Sequence, residues 1–153
     1  MELSRGITGF RDIDASPLPL CDLREFRGHC FAVARDLGGR VCSFETSQHR
    51  AANFASAVLE FRSGRVAVLL NAHFPVIAFA EPLKEGETKL RFVDSPELGA
   101  QFRGFNIYTV STVADLARAL SEEMCQHLAP AERKQVDYWR PAFVGELIFN
   151  FWD

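Results

Sequence analysis

Ala55-Ser56-Ala57-Val58-Leu59-Glu60-Phe61, then Ser63-Gly64, then Arg65-Val66-Ala67-Val68-Leu69-Leu70 is the stretch that decides the fold. Two short runs rich in Val, Leu, Ala and Phe flank a turn dipeptide, the pattern of a β-hairpin. Asn71 to Phe74 follows as a connector. Pro75 to Ala80 is then a third strand, whose unbroken apolar run predicts burial on both faces. Lys84-Glu85-Gly86-Glu87 is a polar turn, and Lys89 to Val93 continues as a fourth strand. Consecutive hairpin connections make an antiparallel meander the simplest topology.

Outward from this core, Arg40 to Glu45 is a short strand candidate and Asp22 to Leu37 a helix. Asp22 is placed as N-cap, Leu23, Phe26, Cys30, Val33 or Ala34, and Leu37 recur at helical spacing, and Gly38-Gly39 stops the run. Gly28 and the β-leaning Cys30–Val33 stretch leave a strand open there. Residues 1–20 read as irregular, with Ile7-Thr8-Gly9-Phe10 a possible short strand and Ser16-Pro17-Leu18-Pro19 a loop. Ser95-Pro96 starts a short helix, with proline in its first turn. Asn106 to Val110 is a strand or an extended lead-in.

Thr112-Val113-Ala114-Asp115 has the form of a capping box, and Val113, Leu116, Leu120, Met124 and Leu128 continue at helical spacing, which predicts one helix over 112–128. Ala131 to Tyr138 is a further helical stretch, Pro141 breaks the chain, and Val144 to Phe151 is apolar enough to dock on the core. The expected fold is α+β: an antiparallel β-meander of four to six strands packed against two to four helices as a single layer pair, in one domain spanning 1–153.

Composition narrows the function classes. The chain has 153 residues, enough for one core. Its 48% hydrophobic and 24% charged residues are ordinary globular values. A net charge of −3 without a clustered basic face argues against nucleic acid as a partner. No basic amphipathic helix points to a membrane surface, and the longest apolar stretch, near Val66–Ala80, is interrupted by Asn71, His73 and Pro75. Met1-Glu2-Leu3-Ser4-Arg5-Gly6 has no charged region followed by an apolar stretch, so the expected location is cytoplasmic. Cys21, Cys30, Cys42 and Cys125 then read as free thiols. Fourteen phenylalanines must mostly build the core.

Chemical motifs are sparse. Cys125-x-His127 has the wrong spacing for joint metal ligation on a helix, and no Cys-x-x-Cys or His-Glu-x-x-His occurs. No Gly-x-Ser-x-Gly elbow marks a nucleophile, although a Cys–His pair assembled in space stays open. Gly6-x-x-Gly9 and Gly38-Gly39 match neither phosphate-binding fingerprint. Glu45 and Glu60 are carboxylates on strands that only tertiary structure could pair. Catalytic, metal and cofactor-binding residues are therefore assigned to none. The acidic turn with Glu81, Glu85 and Glu87, and the outer side of the 112–128 segment with Asp115, Glu122 and Glu123, are candidate contacts for a basic partner.

The C-terminal run from Asp137-Tyr138-Trp139-Arg140-Pro141 through Gly145-Glu146-Leu147-Ile148-Phe149-Asn150-Phe151-Trp152-Asp153 resembles small bacterial immunity proteins of polymorphic toxin and contact-dependent growth inhibition systems. The opening Arg5-Gly6-Ile7-Thr8-Gly9-Phe10 is consistent with it. The resemblance covers under a quarter of the chain. It implies a protein that binds a cognate toxin domain, often a nuclease with a basic cleft, and occludes it without catalysis and without a cofactor. From the residues alone, Trp139, Phe149, Phe151 and Trp152 should pin the C-terminus to the sheet, Asn150 should bond backbone, and Glu146 could pair with Arg140. A small Cys/His hydrolase and a homodimeric interaction domain remain as alternatives.

Overall fold

A computed structural model describes residues 3–46 and 51–152. Helix α1 (Leu23–Asp36) precedes β1 (Arg40–Glu45), β2 (Phe54–Phe61), β3 (Gly64–Asn71), β4 (Val76–Ala80) and β5 (Phe92–Val93). Then come α2 (Pro96–Arg103), β6 (Thr109–Val110), α3 (Val113–Leu116), α4 (Glu122–Cys125), α5 (Pro130–Trp139) and α6 (Val144–Ile148). The fold is α+β. Strands β1 to β5 form the expected antiparallel meander in sequence order. β6 adds a short parallel pairing to β4, with Val76 opposite Thr109.

The hairpin forms with its turn one residue earlier than Ser63-Gly64. Phe61 pairs with Gly64, so Arg62 and Ser63 make the two-residue loop, and Gly64 takes φ +133 as the first residue of β3. The fourth strand contracts to Phe92–Val93. For α1, Asp22 accepts from the Glu25 amide at 3.0 Å, and Gly38 at φ +76 lets the chain turn away. The helical reading of 22–37 thus prevails over the strand left open by Gly28.

Three expectations need correction. Residues 112–128 are two one-turn helices, not one. The capping box forms, with Asp115 N donating to Thr112 Oγ1 at 3.1 Å, but the ladder ends at Leu116. Leu120 N then donates to Ala142 O, and Arg118 O accepts from Val144 N, so backbone pairing with the 142–144 segment replaces the helical bonds. Ser121 caps α4 afresh. Ile7-Thr8-Gly9-Phe10 is not a strand: Ile7 and Gly9 donate to Ser4 O and Gly6 O in successive turns, with Gly6 and Gly9 at positive φ. And the layering is not a single pair.

Alternate residues of β3 and β4 point to opposite sides, and both sides are buried. Val68, Leu70, Ile77 and Phe79 meet Phe26, Cys30 and Val33 of α1 and Leu98 and Phe102 of α2. Leu69, Ala78 and Ala80 meet Leu116, Met124, Val144 and Leu147 on the other face. The sheet lies between two helical layers, and six helical segments among the described residues replace the two to four expected. Phe26, Phe54, Phe79, Phe102 and Phe149 are core residues, whereas Phe31 and Phe143 remain about half exposed.

Candidate functional site: the seam between the chain ends

The amino- and carboxy-terminal segments meet at the end of the sheet opposite the β2–β3 turn. Asn71 ends β3 opposite Phe54, the first residue of β2, and Asn53 O, just before it, accepts from Ala72 N at 2.8 Å. Both side-chain amides fork onto the same two carbonyls. Asn71 Nδ2 donates to Ile7 O at 2.9 Å and Ile148 O at 2.8 Å, and Asn53 Nδ2 donates to the same oxygens at 3.0 and 2.9 Å. Asn53 Oδ1 accepts from Asn150 N at 2.7 Å. Asn150 Nδ2 donates to Thr8 O and Leu147 O, and its Oδ1 accepts from Trp152 N. All three asparagines are buried, and none leaves a buried polar atom without a partner. The expected backbone bonding of Asn150 is met.

A second clasp joins the first segment to α5. Glu132 is wholly buried. It accepts from Gly6 N at 2.7 Å, Thr8 N at 3.1 Å, Thr8 Oγ1 at 2.6 Å and Ala129 N at 3.0 Å. Four donors converge on one carboxylate, which compensates its loss of solvent. Sequence reasoning missed Glu132, since nothing in the order of residues joins position 8 to position 132.

Above the seam lie a cavity and an aromatic ledge. The cavity, of about 210 Å³, is walled by the Thr8–Phe10 turn, Asn53, His73, Asn150 and Trp152. The ring of Phe10 lies 6.4 Å from Trp152, Trp152 is parallel to Trp139 at 6.3 Å, and Trp139 meets Tyr138 edge-on at 5.2 Å. Phe149 and Phe151 do pack on Phe54 of the sheet. Trp139 does not become a core anchor: it stays 40% exposed and Tyr138 76%. Glu146 accepts from the backbone of Ala142, not from Arg140.

The acidic candidates separate by role. Asp115 belongs to the capping box of α3. Glu81 lies 3.6 Å from Arg91 and Glu122 lies 3.2 Å from Arg133, both exposed pairs. Glu85, Glu87 and Glu123 are exposed. Glu60 bridges Arg65 and Arg40 at the sheet surface, and hydrogen bonds from these two guanidinium groups hold its carboxyl below the usual range. Glu45 pairs across the sheet with Ser56, four positions along β2 from Glu60, so the two do not face each other.

Of the described imidazoles, His29 is bonded to Tyr108 and His73 to the backbone of Pro19, neither to a thiol. Burial pushes the Cys30 thiol up to about 12 and raises those of Cys21 and Cys125, the opposite of what a thiolate nucleophile needs. His29 is stacked on Phe105 and bonded through Nδ1 to Tyr108 Oη at 2.7 Å. Burial first, and nearby acidic groups second, raise the Tyr108 phenol. Among the described residues no cluster of His, Cys, Asp and Glu is placed to hold a metal, and no helix is long and apolar enough to cross a membrane.

A larger open groove of about 520 Å³ lies at the other end of the sheet, with Arg62, Arg65, Asp94 and Glu97 among its lining residues. No family model, no curated protein and no solved structure matches this chain.

Proposed function

We propose that this protein is an immunity protein, which binds a bacterial toxin domain in the cytoplasm and neutralises it by occlusion, without turnover. One observation carries the reading. The two segments that carry the resemblance, Arg5–Phe10 and Asp137–Trp152, meet in one seam, where Asn150 Nδ2 donates to Thr8 O, and both contribute walls to the cavity and rings to the aromatic ledge above it. A binding protein needs such a rigid surface with aromatic anchors, because Tyr and Trp dominate the energetics of most interfaces. Exposed Glu85, Glu87 and Glu123, and the partly engaged Glu81, Glu122 and Asp115, would steer a basic partner toward the protein.

The test is co-purification with the product of the adjacent upstream gene, followed by a toxicity-rescue assay. A stable complex and restored growth support immunity. A harmless neighbour that forms no complex sinks it. The exposed Tyr138–Trp139 pair also fits a homodimer interface, which sedimentation velocity across a concentration series separates from a monomeric inhibitor.

A further inference from the structure

The sheet has one long open edge. β1 is its first strand and pairs only with β2 among the described residues, so its outer side offers backbone N–H and C=O groups to a further strand. No residue of β1 is fully buried. β5, at the other edge of the meander, is only two residues long.

The order of residues in β1 is self-complementary. Arg40-Val41-Cys42-Ser43-Phe44-Glu45, laid antiparallel against a second copy of itself, sets Arg40 opposite Glu45, Val41 opposite Phe44 and Cys42 opposite Ser43. Edge charges of a single sign would repel a second copy; here the two signs stand at opposite ends of the strand and meet twice.

A β-bulge makes this register possible. A two-fold axis perpendicular to the sheet keeps each face on its own side. In a regular strand, residues five positions apart lie on opposite faces, so Arg40 could not oppose Glu45. The bulge between Val41 and Ser43 adds one residue and restores the match. Arg40, Ser43 and Glu45 stand opposite Glu60, Val58 and Ser56 on one face. Val41 and Phe44 stand opposite Leu59 and Ala57 on the face that α1 covers.

Helix α1 extends the same surface. The Arg27 guanidinium lies 5.7 Å from the ring centre of Phe31 and 5.5 Å from that of Phe44. This places the half-exposed Phe31 beside the edge strand.

We propose that the β1 edge binds a second copy of this chain, joining two sheets into one across a two-fold axis. An Arg40–Glu45 pair closes each end of the contact, Val41 packs on Phe44 of the other copy, and Phe31 is covered. Arg40 keeps its bond to Glu60, because a guanidinium has donors for two carboxylates. Any other extended segment would have to supply the same sequence of charged and apolar residues that the second copy already carries.

The experiment is sedimentation velocity of the intact protein across a concentration series, which should show a concentration-dependent dimer. Arg40→Glu and Glu45→Arg each create two like-charge pairs across the axis, and each should weaken the dimer about tenfold or more. An equimolar mixture of the two variants restores opposite charges at both ends, and should form a heterodimer as tight as the parent dimer. Phe31→Ser changes only a half-exposed side chain, should weaken the dimer about tenfold, and serves if a charge variant fails to fold. Trp139→Ala should leave the dimer unchanged.

A monomer at every concentration would overturn the proposal. A mixture that associates no better than its separate components would overturn the register. Loss of the dimer in Trp139→Ala but not in Phe31→Ser would move the interface to the Tyr138–Trp139 pair. The β1 interface does not rest on the toxin reading, since its assay contains no toxin.

Discussion

Glu132 has no exposed surface, yet four donors from two distant parts of the chain end on it. Glu132→Ala would leave three N–H groups and a hydroxyl buried without an acceptor, and should cost roughly 3 kcal/mol or more. The midpoint of urea unfolding should fall at unchanged m-value; a midpoint within error of the parent would refute the assignment. Cys30 gives a pH signature. Its folded thiol is pushed up to about 12, above the roughly 8.5 of an unfolded cysteine. Below that lower value the thiol is neutral in both states and contributes no pH dependence. Above it the unfolded chain ionises while the native one keeps its proton, so stability falls with rising pH, by up to about 1.4 kcal/mol per pH unit from this group. Tyr108, Cys21 and Cys125 shift in the same direction and add to the decline. Cys30→Val should flatten the alkaline limb of a urea-midpoint against pH curve, and an unchanged limb would rule out Cys30 as a contributor.

Two glycines in helices predict opposite outcomes for the same substitution. Gly28 lies on the exposed side of α1, with nothing within 4 Å of where a Cβ would stand. Gly28→Ala should therefore raise stability by about 0.5–1 kcal/mol, the helix-propensity difference. Gly145 sits in α6 where a Cβ would lie 2.7 Å from a Phe92 ring carbon and 3.1 Å from both Leu116 Cβ and Leu116 O. Gly145→Ala should cost about 1–3 kcal/mol through overpacking, despite the better propensity of alanine. Thermal melts of the two variants should move apart in sign, and a stabilised Gly145 variant would mean that α6 is not held where described. The same contrast explains what was legible in the sequence. α1 and the β2–β3–β4 meander could be read because their signals are local: Asp22 as cap, apolar periodicity, a turn between two β-rich runs. The interruption at 117–121 could not, because it comes from backbone bonds to Ala142 and Val144. Of the predicted stripe, Leu116, Met124 and Leu128 are buried, whereas Val113 and Leu120 are only partly so.

Across the whole molecule, both ends of the chain are held by the same buried polar groups. This arrangement was illegible in sequence, since asparagine at 53, 71 and 150 looks like turn punctuation until the fold brings the three together. Charge pattern selected exposed acidic residues instead, and it says nothing about hydrogen bonds that close over more than a hundred positions. If the seam is one cooperative unit, disturbing it at one end must loosen the other. Asn150→Ala removes two donors to the Thr8 and Leu147 carbonyls and the acceptor of the Trp152 amide. Its cost should be about 2–3 kcal/mol. Native-state hydrogen exchange reads where that cost appears. The amides of Gly6 and Thr8 donate to Glu132, not to Asn150, so their protection tests coupling through the fold. They should lose protection together with Asn53 and Trp152, by a similar free energy. Should Gly6 and Thr8 keep parental protection while only Asn53 and Trp152 exchange faster, the two ends open independently. The surface above the seam would then lack the rigidity that a preorganised binding face requires.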